Sequence, residues 1–304
     1  MTKRLAWIAL TLALLVVPLA ASASATTQGD GTDVDSTPPA TVDQPVTGET
    51  LLPKYRILSY YGFPGNQYMG ILGKYSKSDL RKKLVKQARA YEAADPDRPV
   101  KLAFEIMASV AQRDPQDDGS YLTYTDPALI QEYADYTAAN DMLLILDVQF
   151  GRTTVQQEIT KVRDWLKLPH VILALDAEFA VKDGEVPGVD LGSLDAKDVR
   201  YAQRQMVEIA QEAGIPPKVL ILHQFSIYSV TNKEKIKPMA GVLFVLEVDG
   251  FGTPDEKRLT YSVMTKNPIQ YYGFKLWYSG EDDPLMSPDD VLALNPIPDI
   301  VIYQ

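Results

Sequence analysis

The sequence predicts an α/β fold, a (β/α)8 TIM-like barrel forming a single domain, and two observations carry that prediction. Eight short β-branched or aliphatic runs alternate with amphipathic or polar segments. Together they occupy residues 51–304, about the length at which eight βα units close on themselves. Near-continuous apolar runs are expected where both faces of a strand are buried, as in a parallel sheet wrapped by helices.

In order, the runs are Tyr55–Tyr61, Val100–Ile106, Met142–Gln149, Val171–Glu178, Lys218–Gln224, Gly241–Val248, Ile269–Trp277 and Asp299–Tyr303. Between them, Ser76 and Asp79 cap a helix to about Ala94, with Leu80, Leu84, Ala88 and Tyr91 on one stripe. Asp126-Pro127 starts a second helix and Val155 to Leu168 forms a third. Asp195 to Ala213 is a fourth, ended by Gly214. Lys233 to Met239, Asp255 to Thr265 and Ser287 to Leu294 are shorter helical segments. An open doubly wound sheet would carry a glycine-rich phosphate loop after its first strand. Here Gly62-Phe63-Pro64-Gly65-Asn66-Gln67 matches neither such loop.

Residues 1–25 have the three parts of an export signal: Lys3 and Arg4, an apolar run from Ala6 to Ala20, then Ala21-Ser22-Ala23-Ser24-Ala25. The apolar run is shorter than the ~20 residues a membrane span needs, and Pro18 interrupts it. Residues 26–50 are rich in Gly, Pro, Thr and Asp, lack aromatics, and read as a disordered linker. The expectation is therefore a secreted, extracytoplasmic domain with no stable membrane insertion after cleavage. With no cysteine in the chain, neither disulfides nor a cysteine lipid anchor contributes. Cleavage leaves 28 basic against 40 acidic residues, a net charge of −12, which argues against nucleic acid as a partner.

Barrel enzymes place their chemistry at the C-terminal ends of strands. Those ends carry Tyr60 and Tyr61, Glu105, Asp147 and Gln149, Asp176 and Glu178, His223 and Gln224, Glu247 and Asp249, and Trp277. The seventh run also passes Lys275. Charges within strands are rare unless paired or functional. Period-two alternation puts Asp176 and Glu178 on one face, their α-carbons about 6.6 Å apart, with Ile172 and Ala174 beneath. Two carboxylates so placed hold one another's protons, and a protonated acid beside an ionised one is what cleavage of a glycosidic bond uses. Asp147 is the third carboxylate at that level. Alternatively, such carboxylates hold a neighbouring Lys or Arg, or cap the next helix.

The strand VILALDAEF resembles the D-x-E strand of secreted barrel glycosidases, the family 25 lysozymes and more loosely the family 18 chitinases. The resemblance implies that Glu178 is the proton donor and that Asp176 assists it. The chitinase pattern has a further Asp where this chain has Ala174. The lysozyme pattern has an Asp in the first strand, where this chain has Tyr60 and Tyr61.

The expected function is a secreted glycoside hydrolase acting on a polysaccharide, with cell-wall polymers among the candidates. Glu178, Asp176 and Asp147 are the catalytic candidates. Tyr60, Tyr61, Glu105, Gln149, His223, Gln224, Glu247, Asp249 and Trp277 are the substrate-binding ones, aromatic faces being suited to sugar rings. No cofactor is expected. Two readings remain beside it: a non-catalytic barrel that binds glycans or a surface partner, and a metal-dependent phosphodiesterase-type hydrolase using Asp147, Asp176 and Glu247. His170, at the start of the fourth run, reads as structural. Two histidines without H-E-x-x-H disfavour a zinc hydrolase, and no G-x-S-x-G elbow is present.

Overall fold

The computed structural model describes residues 48–267, 269–278 and 280–304. The export signal at 1–25 and residues 26–47 of the linker lie outside the described residues. No helix among the described residues is long and apolar enough to cross a membrane.

Eight parallel strands form the barrel: β1 (Arg56–Gly62), β2 (Val100–Ala111), β3 (Leu143–Gly151), β4 (Val171–Ala180), β5 (Lys218–Gln224), β6 (Val242–Val248), β7 (Tyr271–Leu276) and β8 (Ile300–Tyr303). Each pairs with the next. The barrel closes where β1 pairs with β8, from Ile57↔Ile300 to Tyr60↔Tyr303. Among the described residues six α-helices wrap it: α1 (Lys77–Ala94), α2 (Pro127–Ala139), α3 (Val155–Leu166), α4 (Ala196–Ala213), α5 (Pro254–Met264) and α6 (Pro288–Leu292).

Each helix starts at a residue whose side chain accepts an otherwise unpaired backbone N–H: Ser76, Asp126, Thr154, Asp195, Thr253 and Ser287. Gly214 ends α4 with φ 63, a left-handed conformation that suits glycine. The expected helix from Lys233 to Met239 is instead a 3-10 turn, Lys233–Lys235, followed by extended chain at Ile236. Pro238 explains the change, since a proline disfavours helical geometry at the residue before it.

Two apolar layers hold the barrel. Leu58, Phe104, Leu144, Leu173, Leu220, Phe244 and Phe274 face the helices. Ile57, Ala103, Ile145, Ile172, Ala174, Ile221, Val245, Ile300 and Ile302 fill the interior. Interior positions alternate along each strand up to the irregularities near Met107 and Gln149, so the next inward residues above this plug are mostly the polar ones near the strand ends. A short antiparallel strand, Leu122–Tyr124, extends the β2 tip. A two-stranded ribbon, Leu194–Asp195 with Val230–Thr231, joins the segments after β4 and β5.

Candidate active site at the barrel mouth

The interior-facing side chains above the apolar plug are Tyr61, Glu105, Asp147, Gln149, Asp176, Glu178, His223, Glu247, Asp249, Lys275 and Trp277. Register places them around one mouth: Tyr61↔Glu105, Gln149↔Asp176, Asp176↔His223 and His223↔Glu247 are direct neighbours across adjacent strands. The sequence-predicted convergence of acids from separate strands is therefore present.

His223 organises one side. Its Nδ1 lies 2.7 Å from Glu247 Oε2 and its Nε2 lies 2.8 Å from Glu105 Oε1. Between two ionised carboxylates both nitrogens donate, which is the imidazolium form. Burial alone would lower the His223 pKa, but Glu105 and Glu247 outweigh it and hold it well above the ordinary value. Glu247 is pushed up to about 7, by burial first and then by Asp249. Its side chain lies over Gly273, where an added Cβ would stand 2.7 Å from Glu247 Cγ.

The other side contains the D-x-E pair. Gln149 donates to Asp176 Oδ2 at 3.1 Å and is itself fixed by the Ala111 N–H at 2.7 Å. Tyr61 donates its hydroxyl to Asp147 Oδ2 at 2.8 Å. One oxygen from each of Asp176, Glu178 and Asp249 lies within 4.8 Å of the other two. Burial raises Asp176 to about 6. Glu178 is raised well above the ordinary carboxylate value by desolvation and then by Asp176 and Asp249. It reaches solvent, but from a recess deep enough for desolvation to dominate. Burial and then Asp176 likewise raise Asp147. The pair thus separates into one acid that keeps its proton and one that ionises near neutrality, the division of labour that acid–base chemistry needs.

Lys275 is the member whose role the sequence did not disclose. Its Nζ lies 2.9 Å from Asp249 Oδ1, 4.1 Å from the Tyr61 ring centroid and 4.5 Å from that of Trp277. Trp277 donates Nε1–H to the Asp249 carbonyl at 3.0 Å. Phe251 bridges Phe225 and Trp277, with ring centroids 5.9 Å apart on each side. Phe251 is 48% exposed while Phe225 and Trp277 are half-buried, so this aromatic wall opens to solvent at Phe251. Buried Lys257 secures it: Nζ bonds Asp282 and the Gly250 and Lys275 carbonyls, while Asp282 accepts the Trp277 and Gly252 N–H groups. Phe225 and Phe251 lie just beyond β5 and β6, in loop segments that the strand pattern does not mark.

Two predicted binding residues are not in the mouth. Tyr60 and Gln224 alternate with interior residues and so point outward. Tyr60 donates to Gln87 and packs edge-on against Tyr278 and Tyr303. Gln224 accepts from Lys233 and donates to the Ser226 carbonyl. Asp147, Asp176 and Glu247 do not form one metal-sized group among the described residues; the groups that do are Glu105–Asp147–His223, His223–Glu247–Asp249 and Asp176–Glu178–Asp249. The first two are occupied by the imidazolium bonds, and Lys275 already holds Asp249 in the third. His170 bonds the Ala134 carbonyl at 3.0 Å, at the opposite end of the barrel.

No family model matches the sequence, and no curated protein matches it. Among solved structures, the chain is similar to a mannanase of Bacillus subtilis, at 11% identity and a TM-score of 0.43, over 83% of this chain and 80% of that one.

Proposed function

We propose that the chain is an extracytoplasmic glycoside hydrolase acting on a polysaccharide, with cell-wall polymers among the candidates. Residues 1–25 would be its export signal, residues 26–50 a linker and residues 51–304 the working domain. The observation that carries the reading is the Asp176–Glu178 pair grouped with Asp249, whose carbonyl accepts from Trp277 of the Phe225–Phe251–Trp277 wall. The wall offers ring faces to a sugar. Glu178 presents a protonated carboxyl at the accessible edge and donates to the departing glycosidic oxygen. Asp176, ionised and steadied by Gln149, offsets the positive charge that develops on the sugar. Asp249, held by Lys275, is the nearest further carboxylate and the candidate nucleophile. Glu105, Asp147 and Glu247 are wholly buried and act by fixing charge and geometry rather than by touching substrate.

The test is release of reducing ends from a panel of polysaccharides by the native chain and by Glu178→Gln. Cleavage by the native chain, lost in the variant, supports the assignment; equal rates remove it.

A second reading has its own support. Asp176 and Asp249 are 5% and 2% exposed, Asp147 is wholly buried, and Glu105, Glu247 and Asp249 are locked in ion pairs. A barrel that binds glycans at its aromatic rim without cutting them fits that closure. Retention on an immobilised glycan with no product released distinguishes it.

A further inference from the structure

The mouth gathers six carboxyl groups, Glu105, Asp147, Asp176, Glu178, Glu247 and Asp249, around two cations, His223 and Lys275. Both cations are already committed. His223 is shared between Glu105 and Glu247, and Lys275 is bound to Asp249. Three carboxyl groups are left without a cation. Asp147 receives one hydroxyl and Asp176 one amide N–H, while the remaining oxygen of each, Oδ1, is buried and has no partner. The Glu178 carboxyl makes no hydrogen bond among the described residues. A site so rich in acceptors and poor in donors calls for a ligand that brings N–H or O–H groups, and favours one that also brings positive charge.

Lys275 shows how this mouth holds an ammonium: one carboxylate at 2.9 Å and two aromatic faces at 4.1 and 4.5 Å. The same two ingredients, carboxylate and open ring face, are present at the rim without a cation. Asp176 supplies the charge, the carbonyl oxygen of the Glu178 carboxyl a further acceptor, and Phe251 the exposed face. A uronic acid would add a further negative charge to this surplus. An N-acetyl group would bring one N–H but no charge.

We infer that the glycan taken at this mouth carries a free ammonium beside Asp176 and Glu178, so that its class is an amino sugar polymer lacking the N-acetyl group. The inference rests on reading the mouth as a glycan site. It does not depend on whether the bound glycan is cut.

The experiment is calorimetric titration of the full chain with oligomers of glucosamine, N-acetylglucosamine, mannose and galacturonic acid, matched in length. It is run at about pH 6, where a sugar amine is protonated, with product release followed in parallel. The glucosamine oligomer should bind at least about tenfold more tightly than the others. That advantage should shrink several-fold between about 0.05 and 0.5 M salt, and disappear in Asp176→Asn. Equal affinities, preference for another oligomer, or no binding by any of them overturns the inference. The native-chain comparison decides the matter even if Asp176→Asn does not fold. Preferred binding without product supports the inference and removes the hydrolase reading alone. Cleavage of neutral oligomers without the preference removes the inference and leaves the hydrolase reading standing.

Discussion

The Glu247 side chain lies in the space that Gly273 leaves empty on the neighbouring strand. A Cβ at Gly273 would sit 2.7 Å from Glu247 Cγ and 2.9 Å from its Cβ. Two strands of the barrel therefore cannot both carry a side chain at this level, and the glycine lets Glu247 reach His223. Gly273→Ala should push Glu247 off the imidazolium and cost about 1–3 kcal/mol from overpacking. Calorimetric melting would show a lowered midpoint together with reduced activity; an unchanged midpoint would mean that the strand absorbs the methyl.

Activity should have a two-sided pH profile. Asp176 must be ionised, so the rate rises as pH passes through about 6. Glu178 must be protonated, and its raised pKa keeps it so beyond the ordinary carboxylate range. The rate then falls on the alkaline side as Glu178 loses its proton. Glu178→Gln should cut kcat by about 10²–10⁴-fold, the usual worth of a positioned proton donor. Rate measurements from acid to alkaline pH on both proteins check this.

Stability should decline from mildly acid to alkaline pH. Glu247, at about 7, and Asp176, at about 6, hold protons more tightly folded than unfolded. Their contribution is complete below the ordinary carboxylate pKa and is lost as pH rises through these values. His223, also raised, contributes fully below its ordinary value and loses that contribution at still higher pH. The melting midpoint should therefore drop by at least about 5 °C between about pH 5 and 8. Glu247→Gln should flatten the part of the curve between about 4.5 and 7. A midpoint that climbs with pH would contradict the protonated network.

Trp277→Ala should weaken oligosaccharide binding about 5–10-fold through loss of a stacking face. Because Lys257 and Asp282 hold the surrounding loop independently of the indole, the fold should persist and kcat should change less than KM. A parallel fall in kcat would show that Trp277 also positions Asp249, whose carbonyl it binds.

The barrel was legible because its strands are buried on both faces, which writes eight apolar runs directly into the chain. Asp176 and Glu178 were legible through the same alternation, two residues apart above Ile172 and Ala174. Applied to every strand end, that alternation also sorts the inward Tyr61 and His223 from the outward Tyr60 and Gln224. Selecting by position in the run alone mixes the two faces. Lys275 stood in the seventh run, but its bond to Asp249 depends on how β6 and β7 pair, which no local pattern states. Phe225 and Phe251 belong to the segments after their strands, and the Lys257–Asp282 pair that braces Phe251 joins residues 25 apart.

The most direct measurement is the titration of the Glu178 carboxyl by carbon NMR, in the native chain and in Asp176→Asn. A midpoint well above the ordinary value, falling once Asp176 no longer ionises, is the predicted result. An ordinary midpoint, or one indifferent to Asp176, would contradict the account, because Glu178 would then have no proton to give at neutral pH.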